Sequence, residues 1–172
     1  YLNNVYQNDM KTYVKYSGLA VQSHRGGSLE SPENTLESFS YSQSIGCKYI
    51  ETDVQISLDG IPYIFHDETL TRILKKDIIF SSLHSSEIDK LSIFNNHPIP
   101  TLEKALNDFP KMFFQIDVKT DEVAIPALEI IKKCNAIDRV CIASFNSKRL
   151  NKVYKNCPEV CLSMGPIEVF KL

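Results

Sequence analysis

Short runs rich in apolar and β-branched residues alternate along the chain with longer stretches of helical periodicity. This alternation is typical of a parallel sheet whose strands are joined by helices. We predict strands over residues 19–24, 49–54, 62–66, 112–119, 139–145 and 160–164. We predict helices over residues 33–45, 85–91, 101–109, 123–134 and 147–157. The predicted fold class is therefore α/β.

Ionisable side chains gather on one face of the predicted strands, close to their carboxyl ends. Side chains at i and i+2 share a face of a strand. Glu51 and Asp53 therefore share one face of the second strand, opposite an apolar face. Asp117 and Lys119 do the same in the fourth strand, and His24 ends the first. Because unpaired charges are costly in a core, we expect a barrel of parallel strands whose polar ends meet at one mouth.

The connection between the second and third predicted strands contains no helix. Only residues 54–60 are available to it. We predict that the third strand is parallel to the second, reached by an extended return of about 23 Å that ends in a turn at Asp59-Gly60. The alternative is an antiparallel hairpin with Asp59-Gly60 at its tip. The local pattern leaves both open.

The charged residues suit the chemistry of phosphodiester cleavage. Glu51, Asp53 and Asp117 offer carboxylate oxygens, which suit Mg²⁺ or Ca²⁺ better than zinc. Carboxylates at i and i+2 would also repel each other without a cation between them. Arg25 and Lys119 add positive charge for phosphate oxygens.

Two histidines at predicted strand ends, His24 and His66, titrate near neutral pH and can serve as base and acid around a phosphorus atom. Taken singly, each candidate has a simpler explanation. A strand-end histidine is more often structural than catalytic, and Asp117 with Lys119 would be a surface ion pair. Their joint placement favours catalysis, and no serine or cysteine is placed as an activated nucleophile for acyl transfer.

The composition narrows the class of protein. With 172 residues, 43% of them hydrophobic and 23% charged, the chain has room for one globular domain. A net charge of −2 gives no reason to expect a nucleic acid partner. No apolar run approaches the roughly 18 residues that span a bilayer, and residues 1–18 are too polar for a secretory signal.

Five cysteines, an odd number without a CxxC pair, argue against a disulfide framework or a structural zinc site. We expect small buried thiols in a reducing compartment. A cytoplasmic or membrane-associated location is therefore favoured over secretion.

Four blocks in a fixed order resemble the glycerophosphodiester phosphodiesterase family. They are HRGG at 24–27, PENT at 32–35, ETD at 51–53 and DGIPYIFHD at 59–67. Further matches are Thr69-Leu70, Arg72, IPTLEKAL at 99–106, FQIDVK at 114–119 and the Ser144-Phe145 pair. The resemblance runs from about residue 19 to residue 164 and covers most of the chain.

The resemblance implies a TIM (β/α)8-type barrel that hydrolyses glycerophosphodiesters to glycerol 3-phosphate and an alcohol. It implies one divalent cation, Mg²⁺ or Ca²⁺, held by Glu51, Asp53 and Asp117. It also implies that His24 and His66 form an acid–base pair. The side chains of Arg25 and Lys119 would bind the phosphate. Three alternatives stay open: a lysophospholipase D acting on lysolipids, a sphingolipid phospholipase D, and a non-catalytic truncated module that binds phosphate.

The chain departs from the family pattern in two respects. Asp117 stands where the family commonly has Glu, and the chain stops near the sixth strand with no tryptophan. We therefore expect an incomplete barrel with about six of its eight strands, formed by a C-terminally truncated domain over 19–172 after an N-terminal segment over 1–18. The open edges predict an oligomer that covers them, and a membrane anchor outside this chain stays an alternative.

Overall fold

The computed structural model of the chain describes residues 11–15 and 20–163, and it is an α/β structure. The strands are β1 (Gln22–His24), β2 (Tyr49–Ile56), β3 (Pro62–Ile64), β4 (Ser92–Ile93), β5 (His97–Pro98), β6 (Phe113–Val118), β7 (Val140–Ala143) and β8 (Cys161–Leu162). The α-helices are α1 (Leu36–Ser44), α2 (Thr71–Leu74), α3 (Ser85–Ile88), α4 (Leu102–Asp108), α5 (Asp121–Lys133) and α6 (Ser147–Asn156). Short 3₁₀ helices cover Thr12–Val14, Phe80–Ser82 and Ile137–Arg139.

Five strands pair in parallel in the order β1-β2-β6-β7-β8, and β3 pairs with β2 at one side of this path. In the register of β2 and β6, Glu51 lies opposite Gln115 and Asp53 opposite Asp117. Asp53 and Asp117 therefore lie at one level of the sheet, and Glu51 lies two residues earlier on the same face of β2. Within the described residues the sheet does not close on itself, and β1 and β8 form its ends.

The apolar faces of the strands pack where the alternation predicts. Ile50 and Val54 of β2 and Phe114 and Ile116 of β6 are fully buried in the main core, against α1, α4, α5 and α6. Burial of this kind contributes about 25 cal/mol per Å² of apolar surface and holds the sheet against its helices. The opposite face is left for polar groups at the carboxyl end.

Side-chain caps fix where the helices begin. The hydroxyls of Thr35, Thr101 and Thr120 accept a backbone N–H at the starts of α1, α4 and α5, and Asn146 caps α6 in the same way. Each cap satisfies a donor that the first turn leaves free. Helix α1 therefore starts at Leu36, three residues after the predicted start at 33, and the residues before it form a loop.

The predicted parallel third strand is wrong. Strand β2 continues to Ile56, and β3 pairs with it antiparallel, with Val54 opposite Ile64. Ser57 makes the turn compact, because its hydroxyl accepts from the N–H of Ile61 at 2.9 Å. The hairpin alternative is the correct one. It returns the chain to the level of Asp53, whose carbonyl accepts from the N–H of Phe65 at 3.0 Å.

A second, smaller core lies under residues 63–99, which the sequence pattern resolves poorly. Tyr63, Phe65 and Phe80 are at most 1% exposed there, and the rings of Phe65 and Phe80 stack with centroids 4.7 Å apart. Helix α2 and the β4–β5 hairpin in this region were not predicted. These elements have two to four residues each, too few to show a periodicity.

The amino-terminal ends of the strands are covered by the short helix Thr12–Val14. The ring of Tyr13 packs edge-on against Tyr49 at 5.2 Å and near Phe113 at 6.0 Å. The Tyr49 hydroxyl donates to the Tyr13 carbonyl at 2.8 Å. The predicted boundary at residue 18 stays a prediction, and the predicted strand ends at 19 and 164 lie outside the described residues.

The outer edge of the sheet at β1 carries exposed apolar side chains. Val21 beside β1 is 59% exposed and Ile45 at the end of α1 is 64% exposed, so this edge of the sheet presents apolar groups. In residues 11–15 and 20–163 no helix is both long and apolar enough to cross a membrane. The five cysteines, all within these residues, are free thiols.

Candidate active site

A cavity of about 650 Å³ opens at the carboxyl ends of the parallel strands. It is lined by every residue that the sequence assigned to the site, namely His24, Arg25, Glu51, Asp53, His66, Asp117 and Lys119. Gln115, Ala143, Ser144, Phe145 and Ser163 complete the lining. The residues lie in β1, β2, β6 and β7 or directly after β1, β3, β6, β7 and β8, as expected for a site at the mouth of a barrel.

The two aspartates lie side by side with a lysine between them. Asp53 and Asp117 are 2% and 7% exposed and occupy adjacent strands in register. The Nζ of Lys119 lies 2.7 Å from Asp53 Oδ1 and 2.6 Å from Asp117 Oδ2. Burial opposes the charge on this lysine, but its hydrogen bonds to both carboxylates raise the pKa of Lys119 above its ordinary value. The ammonium group thus neutralises one of two adjacent negative charges.

Glu51 lies on the same face of β2 but outside this ion pair. Its Oε2 accepts from the backbone N–H of Arg25 at 3.1 Å and lies 3.8 Å from His24 Nε2. Burial and the neighbouring charge of Asp53 raise the pKa of Glu51 to about 7. A carboxylate in this position lacks positive charge, which a bound cation would supply.

The acidic residues do not form a closed metal cluster. Among residues 11–15 and 20–163, no three acidic, histidine or cysteine side chains converge closely enough to hold an ion. The ammonium of Lys119 lies between Asp53 and Asp117 instead. The donor set nevertheless fits a hard divalent cation, because three carboxylates lie on one face of two adjacent strands and the charge of Glu51 is poorly compensated.

The two histidines differ in environment. The Nδ1 of His66 lies 2.6 Å from Asp67 Oδ1, which fixes the ring and assigns the proton to Nδ1 when the imidazole is neutral. The backbone of His66 is itself held, since the buried Gln55 side chain donates to its carbonyl at 3.3 Å. His24 is more open, with 67% of its side chain exposed near Glu51.

Arg25 follows β1 in a left-handed conformation with φ of 51°. Its Nη1 donates to both carboxylate oxygens of Glu33 at 3.2 Å, and its Nε lies 3.4 Å from Asp53 Oδ2. The Nε is the one buried side-chain polar atom in the described part of the chain that lacks a hydrogen-bond partner. An anionic ligand in the cavity would meet an arginine held in place on both sides.

Several contacting residues were missed as site residues, although the sequence blocks contain them. Asn34 of the PENT block is 2% exposed, donates to Asp53 Oδ2 at 2.9 Å and accepts from Thr52 at 2.8 Å. Glu33 pairs with Arg25, and Asp67 with His66. The signal that could have found them is their place inside the PENT block at 32–35 and the DGIPYIFHD block at 59–67, the second of which also carries His66.

The family is decided by a direct comparison with protein-family models. The model of the glycerophosphoryl diester phosphodiesterase family matches residues 24–161, most of the chain. The chain belongs to this family. Members of the family generally depend on a divalent metal ion.

Individual members of the glycerophosphodiester phosphodiesterase family agree in sequence and fold. A glycerophosphodiester phosphodiesterase of Caldanaerobacter subterraneus is 32% identical over 84% of this chain and 65% of its own length. The crystal structure of one from Agrobacterium tumefaciens is 27% identical with a TM-score of 0.77, over 83% of this chain and 65% of that one. An Oleispira antarctica phosphodiesterase, solved with the product sn-glycerol-3-phosphate, is 27% identical with a TM-score of 0.78. The match covers 88% of this chain and 69% of that one.

The predicted fold class is confirmed, because these solved structures are TIM-barrel proteins of the same family. The chain spans less than two thirds of the length of the first two of these relatives. Its six-stranded sheet, open within the described residues, corresponds to part of such a barrel.

Proposed function

We propose that this protein hydrolyses glycerophosphodiesters to glycerol 3-phosphate and an alcohol with the help of one divalent cation. The observation that carries the proposal is that one cavity at the strand ends brings all the predicted groups together. These are the three acidic residues, His24 and His66, and the positively charged Arg25 and Lys119. The Oleispira relative, which was solved with glycerol 3-phosphate, supports this choice of substrate class.

In this proposal Glu51, Asp53 and Asp117 hold Mg²⁺ or Ca²⁺, the ions that suit an all-carboxylate set. A cation bound there would polarise a phosphoryl oxygen and offset negative charge in the transition state. Arg25 and Lys119, both at the cavity wall, bind the remaining phosphate oxygens. Their present carboxylate partners keep these side chains pointed into the site before substrate arrives.

The histidines move the protons of the reaction. With the proton on Nδ1 held by Asp67, the neutral His66 ring has an acceptor lone pair at Nε2. One histidine removes a proton from the oxygen that attacks phosphorus, and the other gives a proton to the alcohol oxygen as its bond to phosphorus breaks.

The deciding experiment measures choline release from glycerophosphocholine with Mg²⁺, with Ca²⁺ and with excess EDTA. We expect metal-dependent release, and a fall of at least about 100-fold in His66→Gln. His97→Gln is the matched control, because His97 pairs with Glu37 and does not line the cavity. Release that persists in EDTA, or equal rates in the two histidine variants, would contradict the proposal.

The same assay distinguishes the remaining candidates. Release from lysophosphatidylcholine but not from glycerophosphocholine would favour a lysophospholipase D. The non-catalytic alternative has one observation in its favour, the open sheet within the described residues. Binding of glycerol 3-phosphate without turnover of either substrate would establish that alternative.

A further inference from the structure

A continuous chain of ionic contacts connects His66 to Arg25 along the rim of the cavity. Asp67 accepts from His66 Nδ1 through Oδ1 and from Arg72 Nε through Oδ2, both at 2.6 Å. Arg72 Nη2 then contacts Glu33 Oε1. Glu33 in turn lies 3.2 Å from Arg25 Nη1 through both of its oxygens. Positive and negative groups alternate, so each carboxylate in the chain joins two donors.

Most of this chain is shielded from solvent. The side chains of Glu33, Asp67 and Arg25 are 14%, 18% and 16% exposed, whereas Arg72 is 48% exposed. Exposed ion pairs hold their partners weakly, but shielded and multiply bonded pairs fix geometry more firmly. The contacts to Glu33 are therefore suited to keep both guanidinium groups in place.

The position of Glu33 is itself set by independent contacts. It lies in the loop before α1, next to Asn34, whose amide is bonded to Asp53 at 2.9 Å and to Thr52 at 2.8 Å. The N–H of Asn34 also donates to the Arg25 carbonyl at 2.9 Å. The loop is thus attached to β2 and to the end of β1, and Glu33 projects from a fixed base.

Without Glu33 two guanidinium groups would converge on the same space with no anion between them. Arg72 sits on the four-residue helix α2, which extends from the second core rather than from the barrel sheet. Its contact with Glu33 joins these two parts of the molecule across 39 residues of sequence. Loss of the carboxylate would release Arg72, and with it the second hydrogen bond that orients Asp67 toward His66.

We propose that Glu33 is a positioning residue that holds Arg25 for the phosphate and, through Arg72 and Asp67, orients the His66 ring. The proposal rests on the function proposed above, which gives His66 and Arg25 their roles. Glu33 does not line the cavity, so it would act through Arg25 and His66, which do. Such supporting residues typically contribute about 10- to 100-fold to activity.

The test compares Glu33→Gln and Arg72→Gln with the wild type in two independent measurements. The first is a long-range ¹H–¹⁵N correlation spectrum of ¹⁵N-histidine-labelled, ligand-free protein at pH 8, in which His66→Gln assigns the His66 signals. We expect the wild-type ring to carry its proton on Nδ1 and both variants to show a mixture of tautomers. Glu37→Gln, which alters an exposed carboxylate of α1 that pairs with His97, is the matched control.

The second measurement is the kinetics of glycerophosphocholine hydrolysis. We expect kcat to fall about 10- to 100-fold in both variants, and KM to rise only in Glu33→Gln, because Arg25 also loses its partner there. A pure Nδ1–H tautomer together with a kcat within about twofold of Glu37→Gln would overturn the proposal. Should Glu33→Gln fail to fold, the half-exposed Arg72 still provides the decision by the same two criteria.

Failure of the proposed function can be recognised separately. If wild-type protein hydrolyses no substrate, the function proposed above is wrong. The tautomer of His66 in the two variants then decides alone whether Glu33 positions this ring.

Discussion

Glu51 is the site residue whose charge depends most on what surrounds it. Its side chain is 15% exposed, it neighbours Asp53, and the pKa of about 7 means that a large share is protonated at neutral pH without metal. A proton and the proposed divalent cation would therefore compete for the same carboxylate. Occupation by the cation would favour the ionised form and lower the pKa.

We expect the free energy of unfolding of metal-free protein to contain a component from Glu51 that declines as pH rises. A pKa raised from 4.5 to about 7 stabilises the fold fully below pH 4.5, and this contribution is lost as pH rises through 7. The loss amounts to roughly 3 kcal/mol at most. Urea denaturation in EDTA at pH 5 and pH 8 should show this decline in the wild type and not in Glu51→Gln.

The matched control for this titration is Glu129→Gln, since Glu129 lies on the exposed face of α5 with 61% of its side chain exposed. The difference in unfolding free energy between Glu129→Gln and the wild type should be the same at both pH values. Parallel pH dependence of the wild type and Glu51→Gln would show that Glu51 does not titrate in this range.

Lys119 is the counter-ion that allows Asp53 and Asp117 to be buried together. We expect Lys119→Met to destabilise metal-free protein by about 3 kcal/mol, because it removes the ammonium between two buried carboxylates and leaves Asp117 without its cation. Mg²⁺ should raise the melting temperature of this variant more than that of the wild type. Differential scanning calorimetry with EDTA and with Mg²⁺ measures both effects.

Lys104→Met provides the comparison for Lys119→Met. Lys104 pairs with Asp108 on α4 at 2.9 Å, but its side chain is 57% exposed. Exposed pairs contribute about 0 to 1 kcal/mol, so this variant should melt close to the wild type. Equal destabilisation of the two variants would mean that the aspartates do not depend on Lys119.

At the scale of elements, the loop after β1 must approach α1 closely to place Arg25. Gly26 has φ of 78°, and an added Cβ would lie 2.3 Å from Ser38 Oγ and 2.7 Å from Phe39 Cδ1. Gly60 in the β2–β3 turn has φ of 85°, but its added Cβ would meet nothing within 4 Å. Both positions need a left-handed backbone, and only the first also lacks space.

Alanine substitutions at Gly26 and Gly60 therefore separate the cost of backbone strain from the cost of crowding. We expect Gly60→Ala to cost about 1 kcal/mol of unfolding free energy, the usual penalty for a left-handed alanine. Gly26→Ala should cost clearly more, at least about 3 kcal/mol, because α1 and the loop must separate. Chemical denaturation of both variants measures the difference, and similar costs would show that the loop shifts freely.

The sequence was most informative where side chains alternate along buried strands. Ile50, Val54, Phe114 and Ile116 were placed on the correct face, because alternation is a local property. The direction of β3 was predicted wrongly, since residues 54–60 can either form a hairpin or return along the strand. The direction of β3 is decided by the pairing of Val54 with Ile64 and by the hydrogen bond that the Ser57 hydroxyl accepts from the N–H of Ile61. Neither contact has a periodic signature in the sequence.

The site residues at strand ends could be predicted for the same reason. Glu51, Asp53 and Asp117 follow from alternation plus the rule that parallel strands end at one edge. The contact between Glu33 and Arg72 could not, because it joins residues 39 positions apart through a helix of one turn. Such a pair depends on the packing of the second core, which the pattern leaves undefined.

At the scale of the whole molecule, the edge of the sheet at β1 presents exposed apolar side chains. Val21 and Ile45 are 59% and 64% exposed beside each other in a groove that also includes Tyr41 and Cys47. Among residues 11–15 and 20–163 no strand pairs with the outer side of β1, and an open strand edge with apolar neighbours favours association with another chain.

We therefore expect the sedimentation coefficient of this chain to rise with protein concentration. Ile45→Ser should weaken the dependence without lowering the melting temperature, because the side chain is mostly exposed. Leu58→Ser is the control, because Leu58 lies in the β2–β3 turn and is similarly exposed at 58%. This variant should leave the concentration dependence of the sedimentation coefficient unchanged. A concentration-independent monomer in the wild type would exclude this surface as an interface.

If the site binds a cation and a phosphate as proposed, the ammonium group of Lys119 would couple the binding of the two ligands. While it bridges Asp53 and Asp117, it is not available to a phosphate oxygen. A divalent ion that takes over the two carboxylates would release it, so the arrival of one ligand prepares the site for the next. Glycerol 3-phosphate should bind at least about tenfold more tightly with Mg²⁺ than with EDTA, and by reciprocity it should tighten Mg²⁺ equally. In Lys119→Met this mutual reinforcement should largely disappear, and isothermal titration calorimetry can measure it in both directions.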